Sequence, residues 1–123
     1  MIVSIDPEST LPPYEQLRVQ IAGLIGGGSL PPGARLPAVR QLAADLGVAP
    51  GTVARAYREL ERAGWIEGRG RHGTVVRPNR PVEPAAQRQR RLRAESEILV
   101  ATARSLGASD AEVLDALRTA LGR

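Results

Sequence analysis

Two short amphipathic runs joined by a turn of only a few residues constrain this chain most. Val39, Leu42, Ala43 and Leu46 recur at helical spacing until Gly47, a residue that takes a left-handed backbone and so stops a helix. Pro50 then suits a first helical position, where its missing N–H would be unpaired anyway. Val53, Ala56, Tyr57 and Leu60 make the next buried stripe, and Gly64 closes it. The two helices are thus separated by a tight glycine turn. Ahead of them Tyr14, Leu17, Ile21, Leu24 and Ile25 mark another helix, preceded by Pro12-Pro13 and ended by Gly26-Gly27-Gly28. Ile2-Val3-Ser4-Ile5 reads as a short strand, and the proline-rich stretch from Leu30 to Pro37 as an ordered loop or a linker.

Beyond Gly64, Trp65-Ile66-Glu67 and Thr74-Val75-Val76 read as two strands around Gly68-Arg69-Gly70-Arg71-His72-Gly73, a hairpin with a flexible, basic tip. Pro78 to Pro84 has linker composition. A helix of about 20 residues follows, with Leu92, Leu99 and Leu106 at the spacing of one coiled-coil position, and Gly107 ends it. Ser109-Asp110-Ala111-Glu112 is a capping-box pattern, opening a last helix with Val113, Leu114, Leu117 and Leu121 on one side. Two short helices cannot bury these seven apolar residues alone, so they are expected to form a dimer interface. The expected fold is mainly α with a small β-hairpin wing: a winged helix-turn-helix over residues 1–78, a linker over 79–84, and a helical hairpin for dimerisation over 85–123.

Charge narrows the function. The net charge is +4, and between Pro31 and Arg80 nine arginines face four acids, so the excess is concentrated there. On a helical wheel Arg55, Arg58 and Arg62 fall opposite the stripe of Val53, Ala56, Tyr57 and Leu60. All 17 basic residues are arginine, which removes P-loop and Schiff-base chemistry, and the absence of cysteine removes thiol nucleophiles and thiolate zinc sites. His72, the single histidine, has no second histidine to share a metal. Gly68 to Gly73 matches a G-x-G-x-x-G pattern, yet strand-forming residues follow it where a dinucleotide site needs a helix. No catalytic set, metal site or cofactor is expected. No apolar run approaches the roughly 18 residues of a membrane span, and the expected setting is cytoplasmic.

Helix, glycine turn, helix with an arginine face, then basic hairpin is the order of a DNA-binding winged helix-turn-helix. A helix fits a major groove about 12 Å wide, where arginine can bond a guanine edge at two points. The residues resemble the GntR family of bacterial regulators. The resemblance lies in Tyr14-Glu15-Gln16-Leu17, in Leu30 through Ala43, in Gly47 through Val53, in Ala56-Tyr57-Arg58-Glu59-Leu60, and in Gly64-Trp65-Ile66 and Gly73-Thr74-Val75-Val76. It covers about half the chain. The short stretch after the wing is similar to the small YtrA-type branch, and the resemblance implies a C-terminal dimerisation pair there; the larger ligand-binding domains of other branches do not fit in it.

The resemblance implies DNA contact at Arg40, Thr52, His72 and Gly73. The wheel adds Arg55 and Arg58, and Arg69 with Arg71 suit a narrow minor groove. Ala38, Ala49 and Gly51 depart from the polar residues frequent in the family and cannot read a base. The expected partners are a double-stranded operator and a second copy of the chain, most simply as a repressor on a palindromic site. A non-specific architectural DNA-binding protein and a winged-helix protein-interaction module are the alternatives. No residue pattern identifies a small-molecule effector.

Overall fold

The computed structural model describes residues 1–79 and 83–123, which form two compact units divided after residue 81. The middle of the expected linker, residues 80–82, lies outside the described residues. The first unit holds α1 (Pro13–Gly26), α2 (Val39–Leu46), α3 (Pro50–Arg62) and an antiparallel hairpin of β1 (Ile66–Gly68) and β2 (Thr74–Val76), in register Ile66↔Val76. Helix α3 packs against both α1 and α2. Leu17, Ile21 and Ile25 of α1, Leu42 and Ala43 of α2, and Val53, Ala56, Tyr57 and Leu60 of α3 are buried together with Leu36, Ile66 and Val76. The helical residues among these fall on the stripes expected from spacing; Tyr14, Val39 and Leu46 pack half-buried against them, and Leu24 is outside the cluster.

The turn between α2 and α3 works as its glycine demands. Gly47 has φ 68°, and the next N–H, of Val48, donates back to the Ala43 carbonyl at 3.0 Å, so the end of α2 is satisfied before α3 starts at Pro50.

The structure overturns the expected N-terminal strand and gives the proline-rich loop and the wing tip a definite form. Residues 2–5 form no strand: they lie along α1 and bond to amide side chains of that helix. Ser4 donates its N–H to Gln20 Oε1 at 3.0 Å and accepts from Gln20 Nε2 at 2.7 Å. One helical turn earlier, buried Gln16 does the same for Asp6, at 2.8 and 3.1 Å. With no strand to pair with, the backbone of Ser4 and Asp6 finds its partners in these two glutamine side chains.

The proline-rich loop is fastened to the wing. Leu36 donates to the Thr74 carbonyl and Val76 to the Ala34 carbonyl, both at 2.8 Å, with Arg35 and Val75 bridged between them. The wing tip, expected to be flexible, closes into a 3-10 turn over Gly70–His72. Arg69 N–H donates to the Gly73 carbonyl at 2.7 Å and Gly73 N–H to Gly70 at 3.1 Å, with Gly70 and Gly73 both at positive φ.

The second unit consists of α4 (Ala85–Ser105) and α5 (Asp110–Ala120). Gly107 ends α4 at φ 75°, and the capping box forms, with Glu112 N–H on Ser109 Oγ and Ser109 N–H on Glu112 Oε1, each at 3.2 Å. Among the described residues no helix is long and apolar enough to cross a membrane.

Tyr57 ties α3 to the loop ahead of α2, its hydroxyl donating to the Pro37 carbonyl at 2.7 Å. Burial pushes its phenol up to about 12. A folded-state value above the unfolded one, about 10, gives a contribution that is complete below pH 10 and fades as pH rises toward 12. Tyr57→Phe should therefore cost about 0.5–1.5 kcal/mol at neutral pH and remove part of the loss of stability above about pH 10. Denaturant titrations of both proteins across that range check it, and parallel pH profiles would contradict it.

Candidate nucleic-acid interface

Packing of Val53, Ala56, Tyr57 and Leu60 inward leaves Arg55, Arg58 and Arg62 exposed on α3, as the wheel requires. Their surroundings differ. Arg62 pairs with Glu59 at 3.6 Å, whereas Arg58 meets no carboxylate among the described residues. Arg55 crosses to α1, where its guanidinium carbon stands 3.7 Å from the centre of the Tyr14 ring. Stacking engages the face of the guanidinium and leaves its N–H edge for a partner. On the neighbouring turn Arg18 hydrogen-bonds Glu15 and holds its carboxyl below the usual range; burial opposes this, and Arg55 adds a smaller push in the same direction.

Arg40 is exposed in the first turn of α2, with no ion pair among the described residues. Thr52, in the first turn of α3, is half-buried. The N-caps of these helices are Ala38 and Ala49, so neither has a side-chain cap, and neither first turn carries an acid. Their leading N–H groups thus have no side-chain acceptor of their own.

The wing is less uniformly basic than its sequence. Arg69 donates from Nε and Nη2 to Glu67 Oε1 at 2.9 and 2.7 Å, and Arg77 Nε lies 3.8 Å from the other oxygen of that carboxylate. Arg71 and His72 are exposed on the 3-10 turn, and Arg71 has no ion pair among the described residues. Gly73, half-buried at φ 79°, has the Arg35 guanidinium against it. From the sequence Tyr14 is one of the apolar residues that mark α1, and Arg35 stands only within the family signature and the local basic excess; neither is marked there as part of the interface. Their partners, Arg55 and Gly73, are distant in sequence, and only the fold brings them together.

In the second unit Leu92, Leu99, Leu106, Leu114, Leu117 and Leu121 are exposed, and Val113 is half-buried. On α4 the leucines lie on a stripe with Ser96 and Ala103, spaced alternately four and three residues apart. Ser96 bonds its own hydroxyl to the Leu92 carbonyl at 2.7 Å, so it adds no unmet polar group to that stripe. Ile98 and Val100 are exposed as well.

The model of the family described as bacterial regulatory proteins, gntR family, matches residues 13–76, more than half of the chain. The HTH-type transcriptional regulator Rv1152 of Mycobacterium tuberculosis is 43% identical over 110 residues, covering 89% of this chain and 86% of the relative. The HTH-type transcriptional repressor YtrA of Bacillus subtilis is 44% identical over 78 residues, covering 63% and 60%. Among solved structures, YtrA from Sulfolobus acidocaldarius superimposes with a TM-score of 0.61 at 36% identity, over 80% of this chain and 99% of that one. The DNA-binding domain of AraR in complex with operator ORE1 gives a TM-score of 0.52 at 26% identity, over 62% and 93%. The chain belongs to the GntR family of bacterial regulatory proteins, with the architecture of its small YtrA-type members, and is a DNA-binding transcriptional regulator.

Proposed function

We propose that this chain is a cytoplasmic repressor that binds a palindromic operator as a homodimer. The observation that carries the reading is the set of exposed arginines without carboxylate partners among the described residues, Arg40, Arg55, Arg58 and Arg71, on α2, α3 and the wing of one compact unit. Arg40 and Arg55 read base edges, Arg58 meets a phosphate, Thr52 and the uncapped starts of α2 and α3 hold phosphates by backbone and hydroxyl groups, and the wing follows the adjacent groove. The likeness to an AraR domain bound to its operator supports this placement.

Pairing of the leucine stripes of two copies presents two α3 helices to half-sites about 34–36 Å apart, and a bound dimer excludes polymerase by occupancy. The relative named a repressor favours that sign of control.

The test is selection of duplexes from a random pool by the full chain, followed by footprinting and transcription from a template carrying the selected site. A palindromic footprint and a lowered transcript are expected. Protection spread evenly over all sequences would instead make the chain architectural, and no gel shift on any duplex would make it a protein-interaction module.

A further inference from the structure

The wing's own cations are partly spent within the protein. Glu67 takes Arg69 at 2.7 Å and Arg77 at 3.8 Å, so binding phosphate through Arg69 would first require breaking a hydrogen-bonded ion pair. Arg35 is in a different position. It comes from the proline-rich loop, outside the helix-turn-helix and outside the hairpin, and reaches the wing because its backbone is bridged to Val75 between two loop-to-β2 hydrogen bonds. Its Nε and Nη2 lie 3.0 and 3.3 Å from where a Cβ on Gly73 would stand. Gly73 suits its φ of 79°, and a side chain there would also push the Arg35 guanidinium aside. Arg35 is exposed and meets no carboxylate among the described residues.

We propose that Arg35, and not Arg69, is the cation that partners Arg71 in anchoring the wing to the DNA backbone. This rests on the reading of the wing as a DNA contact. A guanidinium held at the base of the tip and lacking an internal counter-charge neutralises a phosphate and releases its counterion without surrendering a bond. Arg69 is instead held by Glu67, two residues before it on the same arm of the hairpin.

The salt dependence of binding separates the two arginines. Full-length wild type and variants are titrated against a labelled duplex selected by the wild type, between about 50 and about 200 mM salt. Arg35→Gln should flatten the slope of log K against log salt by about 0.9, Arg69→Gln should leave it unchanged, and Arg35→Lys should keep the wild-type slope. Arg35→Met, which preserves the aliphatic stem, repeats the first measurement should the glutamine variant melt early. A lower affinity at every salt concentration with an unchanged slope would reduce Arg35 to a packing role and overturn the proposal. So would a flattened slope for Arg69→Gln alone. If the wild type selects no duplex, the DNA reading of the wing fails first, and that result is plain before any variant is measured.

Discussion

Truncation after Pro84 is expected to leave a folded monomer that binds the operator about 10²–10⁴-fold more weakly than the intact chain. The physical ground is the distribution of the core. Among the described residues the buried apolar side chains other than Ala103 lie between Leu17 and Val76, within the first unit, and a cut after Pro84 leaves all of them in place. What it removes is surface with no use in a lone chain. Leu92 and Leu106 are 62% and 78% exposed, and Leu114, Leu117 and Leu121 are exposed beside them. Burying a leucine is worth about 1.5–3 kcal/mol, so a second copy that covers these stripes gains far more than the rotamer entropy it gives up. Once two units are joined, the second half-site is met at the effective concentration set by the linkage, and the truncated chain forfeits that gain. Sedimentation of both forms at micromolar concentration, with operator titrations of each, decides the matter. An intact chain that sediments as a monomer, or a truncated one that binds equally well, would end the dimer reading.

What the sequence made legible is what local chemistry determines. Gly47, Pro50, Gly64 and the Ser109–Glu112 box place helix ends because their effect acts within a few residues, and the three helical stripes place the core of the first unit. Non-local pairings were not legible. Ile2 to Ile5 has strand composition, but whether such a segment enters a sheet depends on an available edge, and here Gln16 and Gln20 of α1 meet the backbone instead. The docking of the proline-rich loop on β2 has no periodic signature either. The form of the wing tip was likewise not legible: glycines signal conformational freedom, and here Gly70 and Gly73 supply the two positive φ values that close a 3-10 turn. One signal was overlooked: Glu67 and Arg69, two apart and leaving the same side of an extended chain, are placed to pair, and they do.

Arg40→Ala and Arg55→Ala should each weaken specific binding by about 1–3 kcal/mol while moving stability in opposite directions. Arg40 sits in the first turn of α2, whose N-cap is Ala38 and whose first turn has no acid, so its positive charge opposes the helix dipole with no local compensation. A cation there costs about 0.3–1 kcal/mol, and alanine in its place should raise the melting temperature slightly. A residue held at an electrostatic cost and without an internal partner is one whose benefit lies outside the folded chain. Arg55 is the reverse case. Its stacking on Tyr14 at 3.7 Å is worth about 0.5–1 kcal/mol, so Arg55→Ala should lower stability by that amount as well as weaken binding. The same stacking fixes the guanidinium before DNA arrives, and Tyr14→Leu, which keeps an apolar residue on α1, should reproduce part of the Arg55→Ala loss on the operator with little effect on random duplex. Thermal melts and titrations on operator and random DNA provide all the numbers. Equal losses on both duplexes would deny base reading by either arginine, and a destabilised Arg40→Ala would show that the residue supports the fold instead.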